Sequence, residues 1–400
     1  MSASLRIPSL KNESTVHALP VSDSSLDAQS LRLSLAPMEG VTGFVYRNAY
    51  HRHYRPMERY YTPFLSPTGE GNLSTREKND VLPAHNEGMH VVPQILTNRP
   101  EQLLRVAAYL RELGYEEVNL NLGCPAPTVV TKHKGAAMLA EPATLNAFLD
   151  KVCTGLASIG MRLSIKTRLG MEQPEQFETL LPIFNRYPLT ELILHPRVRS
   201  DFYTGKPRLC WYQYAVQHSV HPLCYNGDVN GLRSYQEVRT AIQAARTAKA
   251  AQTAKEAQMA KTLHPVSTAL APLVTTVPQA EANPKEQLSL MLGRGLLSAP
   301  WLAEDLSGAP DLPVRSEAAE KERLQAFHQD LYEGYRRLMS GEQPALFKMK
   351  EVWTYLIRPF DGGDTLLKKL KKTKTAAQYE ATVQTIFREL PLTINYCRTL

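Results

Sequence analysis

Apolar positions between residues 31 and 295 of this chain follow two alternating patterns. Eight short runs are largely apolar, and most are separated by longer stretches whose apolar residues recur at helical spacing. Strands of this kind that alternate with amphipathic helices form a parallel sheet covered by helices, and eight repeats close an α/β barrel of the (β/α)8, or TIM, type. The predicted strands are LRLSLAP (31–37), RYYTPFL (59–65), HVVPQIL (90–96), EVNLNLG (117–123), RLSIKTR (162–168), ELILHPR (191–197), PLCYNGD (222–228) and LSLMLGRG (288–295).

A doubly wound open sheet is the structural alternative for the same alternation of strands and helices. Open sheets that bind dinucleotides carry a GxGxxG sequence directly after the first strand. No such sequence follows residues 31–37. The pattern therefore favours the barrel.

The chain on either side of the barrel pattern differs in composition. Residues 1–30 are serine-rich and aperiodic, which predicts a flexible leader ahead of a barrel domain at 31–312. Residues 240–286 are predicted to be an insertion, with a helix-forming first half rich in alanine and lysine and a second half rich in proline and threonine. Helical spacing without strand signals at 316–400 predicts a small C-terminal helical domain. The packing residues expected in this domain are Trp353, Tyr355 and Phe360.

The composition speaks against several classes of protein. The chain has 400 residues, no apolar run long enough to cross a bilayer and no secretory signal pattern, so we expect a cytoplasmic location and no membrane partner. Its 5 cysteines are scattered without a CxxC pair, which argues against a disulfide framework and a structural zinc site. We therefore expect no metal, and because nothing implies a protein partner we expect a monomer.

The net charge of +7 fits a polyanionic partner such as nucleic acid. The segment LLKKLKKTKTAAQYEA (366–381) concentrates positive charge within about two turns of a predicted helix. By itself this segment fits a phosphate-binding surface and a solvated helix face equally well. Its lysines are Lys368, Lys369, Lys371, Lys372 and Lys374, and Lys350 and Arg358 are predicted on the same outer face.

Polar residues recur where the predicted strands end. In a barrel of this type the carboxyl ends of all strands meet at one mouth, where the chemistry of such enzymes takes place. Each residue alone is an ordinary strand-end or turn residue, but a turn role does not explain why so many recur at one rim. The rim residues are Pro37, Met38, Gln94, Asn121, Cys124, Lys166, Arg168, His195, Arg197, Asn226, Asp228, Gly293 and Arg294.

Several rim residues suit a flavin that carries a phosphate. The glycine-flanked ends of the seventh and eighth strands offer backbone N–H groups that converge on an anion, and Arg294 adds a fixed cation. Lys166 can stabilise an anionic ring, and the amides of Gln94 and Asn121 suit the edge of a flat heterocycle. We interpret the set as a cradle for flavin mononucleotide (FMN).

Six linked segments carry a family resemblance. They are LAPMEGVTGFVYR, NLNLGCPAPTVVTKHKGAAML, SIKTRLG, HPRVRSDFYTGKP, YNGDVNG and MLGRGLL. In this order they resemble the motifs of the tRNA-dihydrouridine synthase family over roughly residues 33–300. The resemblance implies a barrel that binds FMN, followed by a helical domain that binds tRNA. It also implies the reaction, in which the 5,6 double bond of particular uridines in tRNA is reduced with NADPH as electron donor.

The resemblance, carried over motif by motif, implies roles for individual residues. Cys124 would be the catalytic acid. The implied FMN contacts are Pro37, Met38, Gln94, Lys166, His195, Asn226, Asp228, Gly293 and Arg294. The implied contacts to the uridine or its strand are Asn121, Lys134, Arg168, Arg197 and Tyr203.

The implied reaction suits a cysteine at position 124. Hydride from the reduced flavin reaches carbon 6 of the uracil ring, and the enolate that develops must be protonated at carbon 5 from the other face. A thiol with a pKa of about 8.5 is protonated at pH 7 yet acidic enough to release its proton, whereas serine is too weak an acid. Gly123 and Pro125 turn the backbone sharply, so that the loop can lie over a base swung out of the RNA.

Two features depart from the family pattern. Thr62-Pro63 follows the second strand where many members have Thr-Glu, and the insertion at 240–286 is longer than the usual link. Two other functions stay open. A small-molecule FMN oxidoreductase resembling dihydroorotate dehydrogenase would not need the basic helical segment, and an RNA-binding protein without catalysis would not need the full rim with Cys124.

Overall fold

The computed structural model describes residues 31–263, 287–308 and 315–399. The predicted leader, residues 1–30, lies outside the described residues, as does most of the second half of the predicted insertion. The alanine- and lysine-rich first half is helical, as predicted, and continues a helix that begins at Leu232.

Nine parallel strand segments overlap the eight predicted strands, because the third is divided in two. They are β1 (Leu31–Leu35), β2 (Arg59–Tyr61), β3 (Val91–Val92), β4 (Gln94–Ile95), β5 (Glu117–Leu122), β6 (Arg162–Arg168), β7 (Leu189–His195), β8 (Leu223–Tyr225) and β9 (Leu288–Leu292). The hydrogen-bonded order is β3-β2-β1-β9-β8-β7-β6-β5-β4, so only Pro93 separates the two ends of the sheet. The sheet closes into an eight-stranded barrel, and the predicted (β/α)8 TIM barrel is confirmed.

The division of the third strand follows from the chemistry of proline. Pro93 has no N–H to donate to a neighbouring strand, although its carbonyl accepts the N–H of Asn119 at 2.8 Å. The next amide, that of Gln94, donates to the hydroxyl of Thr62 at 3.0 Å. Thr62 therefore joins the second and third strands at the point where the backbone ladder is interrupted.

Helices follow most strands, and the C-terminal region is helical. The barrel helices are α1 (Phe44–His53), α2 (Thr75–Val81), α3 (Pro100–Glu112), α4 (Pro127–Val130), α5 (Pro142–Ser158), α6 (Gln176–Phe184), α7 (Leu209–His218), α8 (Leu232–Leu263), α9 (Arg294–Ser298) and α10 (Leu302–Ser307). The C-terminal helices are α11 (Glu317–Leu338), α12 (Glu342–Leu356), α13 (Asp364–Lys372), α14 (Ala376–Glu389) and α15 (Tyr396–Thr399). Within the described ranges, none of these helices has the length and apolar character to cross a membrane.

Buried apolar side chains form two clusters. The larger one fills the space between strands and helices and continues into the C-terminal helices, where the ring of Phe327 meets Tyr46 edge-on at 5.7 Å. Trp353 and Phe360 are buried in the helical region, as predicted, whereas Tyr355 is only half-buried. The smaller cluster, in the barrel interior, consists of Ala36, Tyr61, Val92, Ile193, Cys224 and Met291.

A buried network of ion pairs joins the helical region to the barrel. Glu304 of α10 accepts from Arg315 at 3.1 Å and from Arg323 of α11 at 2.5 Å. Arg315 also pairs with Glu320 at 3.0 Å, and Arg323 donates to the carbonyl of His53 at the end of α1 at 2.6 Å. Charges removed from water depend on their partners, so this network holds α11 against the barrel.

Two expectations about lysines are wrong. Lys374 lies beyond the end of α13, because the backbone becomes extended at Thr373. Lys350 is half-buried and donates to the carbonyl of Thr373 at 2.5 Å, so it is not free on the outer face. The four lysines of α13 and Lys374 are exposed.

Replacing Glu304 with alanine should remove the buried carboxylate that the half-buried Arg315 and Arg323 share, leaving Asp305 and Glu320 as their remaining partners. Breaking a buried ion pair in this way typically costs about 3 to 5 kcal/mol. Because both arginines are half-buried and keep other acidic partners, we expect the free energy of unfolding in urea to fall by less than this, about 1 to 3 kcal/mol. Glu322→Ala is the control, because Glu322 is exposed on the same helix and makes no ion pair with a described residue. Equal stabilities for the two variants would show that the network contributes little.

Candidate active site at the barrel mouth

A chain of hydrogen-bonded polar side chains, the amide chain, crosses three neighbouring strands, β4, β5 and β6, inside the barrel. The side-chain N–H of Asn119 donates to the hydroxyl of Ser164 at 3.0 Å, and the amide of Gln94 donates to the Asn119 oxygen at 2.7 Å. Asn121 donates to the Gln94 oxygen at 2.7 Å and accepts the backbone N–H of Cys124 at 2.9 Å. Because each of these groups is buried, its orientation is set by its partners. The position of Cys124 is therefore fixed from the barrel interior.

The loop that carries Cys124 is also held from outside. Arg168 donates to the carbonyl of Gly123 at 2.8 Å, and the carbonyl of Cys124 accepts the N–H of Ala136 at 3.1 Å. Gly135 has φ +61°, and a Cβ atom there would lie 2.9 Å from the Cys124 carbonyl oxygen. Only glycine fits this close approach without strain. We call residues 123–136 the cysteine loop. The hydrogen bond between Ala136 and Cys124 holds its two ends together.

The environment of Cys124 keeps its thiol protonated. Burial raises the pKa of this thiol above its ordinary value, although the N–H of Ala126 and the charges of Lys166 and Arg168 act in the opposite direction. A protonated thiol is a proton donor rather than a nucleophile at neutral pH. The surroundings of Cys124 therefore suit a residue that acts as a general acid.

Lys166 is a cation without a protein partner. It lies at the end of β6, and no described residue forms a hydrogen bond or ion pair with it. Burial, followed by the charge of Arg168, lowers its pKa to about 8. A nearby anion would stabilise the protonated form of this lysine, because its attraction offsets the cost of burying the positive charge. Lys166 therefore marks a place for negative charge beside Cys124.

Arg168 and Arg294 enclose the ring of Tyr203. Their guanidinium carbons lie 5.4 Å and 5.3 Å from the centre of that ring. Arg168 also donates to the carbonyls of Val198 at 2.9 Å and Phe202 at 2.7 Å, which holds the loop in place. Tyr203 itself is 55% exposed, so one part of its ring faces solvent at the rim. The two arginines thus present an aromatic surface at the mouth.

Asp228 balances part of the positive charge. Its carboxylate pairs with Arg197 at 2.6 Å and with Arg294 at 2.6 Å. Burial opposes ionisation, but these two arginines lower the pKa of Asp228 below its ordinary value. Arg197 is fully buried and also donates to the carbonyls of Thr204 and Gly205. Arg197 therefore has a structural role at the mouth, because its guanidinium group bonds to other residues of the protein.

His195 is neutral in this cationic setting. Burial, and then the charges of Arg168 and Lys166, lower its pKa well below the ordinary value. A guanidinium nitrogen of Arg197 lies 3.1 Å from Nε2 of His195. Because guanidinium groups only donate, Nε2 accepts and the ring proton resides on Nδ1. His195 thus has one N–H that does not contact Arg197.

The ends of β8 and β9 approach closely. The amide of Asn226 donates to the carbonyl of Met291 at 2.8 Å and ties the two strand ends together. A Cβ atom at Gly295 would lie 2.4 Å from the carbonyl oxygen of Val229, so glycine is required there. Within the described ranges no hydrogen bond engages the backbone N–H of Gly293 or Arg294. This corner combines free N–H groups with the side chain of Arg294, which suits a phosphate.

The remaining predicted residues lie around the same mouth. Met38 follows Pro37 at the end of β1, packs against the barrel-interior cluster and donates its backbone N–H to Thr42 at 2.8 Å. Lys134 is half-buried in the cysteine loop, where burial followed by the charge of Lys132 lowers its pKa. Among the described residues, no hydrogen bond joins either of them to the amide chain.

Sequence reasoning missed two members of the amide chain, Asn119 and Ser164. Asn119 precedes Asn121 by two positions in NLNL, so both side chains point to the same face of β5. That alternation was the available signal for Asn119. Ser164 stands opposite Asn119 in the register of β5 and β6, which the sequence alone does not give.

The fold and this mouth define a TIM barrel with a half-buried thiol and a cationic rim at the carboxyl ends of its strands. The dihydrouridine synthase family model matches residues 34–264, which is more than half of the chain. The chain belongs to the dihydrouridine synthase family.

Relatives with curated names carry the same family name. The probable tRNA-dihydrouridine synthase 1 of Synechocystis sp. is 30% identical over 220 residues, which cover 54% of this chain and 59% of the relative. The probable tRNA-dihydrouridine synthase 2 of Bacillus subtilis is 27% identical over 173 residues, covering 42% and 50%. A probable tRNA-dihydrouridine synthase of Staphylococcus epidermidis is 29% identical over 171 residues, again covering 42% and 50%. The matched part of the chain thus spans 50% to 59% of these relatives.

Replacing Gly135 with alanine should distort the cysteine loop. The new Cβ would combine an unfavourable backbone conformation with a collision against the Cys124 carbonyl, and we expect a loss of about 1 to 3 kcal/mol in the free energy of unfolding. Gly308→Ala is the control, because Gly308 has a similar φ of +56° with no atom within 4 Å of its Cβ position. If both variants lose the same stability in urea unfolding, the close approach to Cys124 contributes nothing.

Proposed function

We propose that this protein is a flavin-dependent tRNA-dihydrouridine synthase, which reduces the 5,6 double bond of particular uridines in tRNA with NADPH as electron donor. The observation that carries the proposal is the protonated thiol of Cys124, fixed by the amide chain beside the unpaired cation Lys166. Family membership and the names of the relatives support the substrate.

The residues at the mouth fit FMN. Lys166 is an unpartnered cation, and the corner at Gly293 and Arg294 offers free N–H groups to a phosphate. His195 keeps a proton on Nδ1, and Gln94 retains one amide hydrogen beyond its bond to Asn119. Pro37, Met38, Asn226 and Asp228 complete the set that would hold the cofactor. When bound and reduced by NADPH, FMN would supply hydride to carbon 6 of the uracil ring.

Cys124 would supply the proton that the reduction requires at carbon 5. Removal of the thiol proton leaves a thiolate, which Lys166 and Arg168 stabilise by their charge. The same two cations favour the enolate that develops on the uracil before protonation. Asn121 holds the cysteine loop through the N–H groups of Gly123 and Cys124, so that the thiol does not move away from the base. The thiol and the cations thus act on the same intermediate.

The substrate strand would meet the rim and the helical region together. Lys348 of α12 donates to the carbonyl of Gly40 in the loop after β1 at 2.8 Å, so this helix lies directly beside the mouth. Tyr203 offers an exposed aromatic surface for the uridine, and Arg168, Arg197 and Lys134 keep the surrounding potential positive. RNA, a polyanion with unstacked bases at its loops, fits such a surface.

The charge of Lys166 should make FMN binding depend on pH. Its pKa of about 8 lies below the ordinary lysine value, so the free protein carries this charge at pH 7 and loses it as the pH rises to 9. We expect FMN affinity, measured by fluorescence titration, to fall over this interval. Lys166→Met should bind about 10- to 100-fold more weakly at pH 7, with little change up to pH 9.

Lys132→Met is the matched control for this titration, because Lys132 is exposed in the cysteine loop. It should keep both the affinity and the pH dependence of the native protein. A Lys166→Met variant that binds FMN as tightly as the native protein would remove Lys166 from the cofactor site.

Replacing Cys124 with alanine should separate the two halves of the reaction. FMN content and NADPH oxidation should stay close to native values, because neither involves the thiol. Dihydrouridine formed in tRNA, measured by mass spectrometry of nucleosides, should fall by about 10²- to 10⁴-fold, as expected for the loss of one general acid. Cys210→Ala is the control, because Cys210 is an exposed cysteine on α7 that has no role in the proposed mechanism. Native rates of dihydrouridine formation in the Cys124→Ala variant would remove this residue from the mechanism.

A further inference from the structure

Phe347 on α12 is the most exposed aromatic side chain among the described residues, at 68%. Leaving a phenylalanine ring in water forgoes the favourable free energy of burying it. A neighbouring position on the same helix, Leu346, is fully buried. The exposure of Phe347 is therefore a property of its place on the outer face of α12.

Phe347 lies above the corner between α13 and α14. Gln343, one turn before it, donates to the carbonyl of Lys374, and Lys350, one turn after it, donates to the carbonyl of Thr373 at 2.5 Å. Positions 343, 347 and 350 share one face of the helix, so the ring stands over residues 373 and 374. The ammonium nitrogen of Lys350 lies 5.7 Å from the centre of the ring. The ring is thus exposed, with the Lys350 ammonium group close to it.

A group of lysines lies on α13 and directly after it, and Gln343 of α12 donates to the carbonyl of the last of them, Lys374. We define the lysine patch as Lys368, Lys369, Lys371, Lys372 and Lys374. All five are exposed, and none forms an ion pair with a described residue. An exposed ring beside unpaired cations matches a ligand that has both phosphates and flat apolar faces.

The same helix connects this surface with the mouth of the barrel. Lys348 reaches the carbonyl of Gly40 at the rim, and Arg358, stacked on Tyr355 at 5.3 Å, reaches the hydroxyl of Ser298 at 3.4 Å. Tyr355 lies close enough to Tyr203 to contribute to the raised pKa of that residue. The outer face of α12 therefore runs from the lysine patch to the aromatic surface at the mouth.

We infer that Phe347 stacks on an unpaired base of the bound RNA at a point outside the catalytic mouth. The lysine patch neutralises the phosphates on either side of that base. Stacking at this second point sets which nucleotide reaches Cys124, so Phe347 is a positioning residue rather than a catalytic one. The inference rests on the proposed function, because it takes the tRNA substrate as the ligand.

The test compares Phe347→Leu with Phe347→Trp, since leucine keeps an apolar side chain without a π face and tryptophan keeps the face. We expect Phe347→Leu to bind an unmodified tRNA transcript about 5- to 100-fold more weakly in fluorescence anisotropy, and Phe347→Trp to bind like the native protein. The salt slope of binding should not change in either variant, because no charge is removed. In Lys371→Gln/Lys372→Gln the slope should instead decrease by about 0.7 to 0.9 for each phosphate that is no longer neutralised.

An RNA duplex without unpaired bases and a distant exposed residue serve as controls. Phe347→Leu should bind the duplex as the native protein does, and Val220→Ala, 70% exposed in the native protein, should leave tRNA binding unchanged. In steady-state kinetics Phe347→Leu should raise KM for tRNA with kcat little changed. Melting temperatures of all variants check that each protein is folded.

Native tRNA affinity in folded Phe347→Leu would overturn the inference, as would an equal loss on the duplex. These results would leave the proposed function intact if the native protein still forms dihydrouridine. Absence of dihydrouridine from native reactions, together with tRNA binding that depends on Phe347, would contradict the proposed function and keep the stacking interaction.

Discussion

The hydrogen-bonded chain from Ser164 through Asn119 and Gln94 to Asn121 is the constraint on which the rest of the site depends. These amides are buried inside the barrel, where an unpaired polar group is costly, so each fixes the next. The last member holds two backbone N–H groups of the cysteine loop. The parallel sheet therefore does more than gather strand ends at one mouth. The register of its strands also fixes the position of the Cys124 thiol.

The second constraint is electrostatic. Lys166, Arg168, Arg197 and Arg294 converge on one mouth, and Asp228 is the carboxylate that pairs with two of them. The protein keeps a neutral histidine and a protonated thiol in this field, while Lys166 is left without a partner. A site with this balance attracts anions and stabilises negative charge that develops during a reaction. The proposed cofactor, substrate strand and enolate are all anionic.

The barrel was predictable because its strands are buried on both faces and read as continuous apolar runs. The strand ends were predictable as a group, because the carboxyl ends of parallel strands must meet. The role of each side chain at the mouth was not predictable. Ser164, for example, joins the amide chain because β6 pairs with β5 in a register that places it opposite Asn119. The burial of Arg197 and the bond of Lys350 to Thr373 likewise depend on loop and helix packing that no local pattern encodes.

We propose that the thiol supplies the proton, and the cationic mouth the charge stabilisation, when a uridine in tRNA is reduced by NADPH through FMN. The most direct measurement is the dihydrouridine content of one unmodified tRNA transcript after incubation with the native protein, FMN and NADPH, with the modified positions mapped by mass spectrometry. The account predicts that dihydrouridine accumulates at defined positions and only when NADPH is present. A transcript that stays free of dihydrouridine, while the same protein holds FMN and oxidises NADPH, would contradict it.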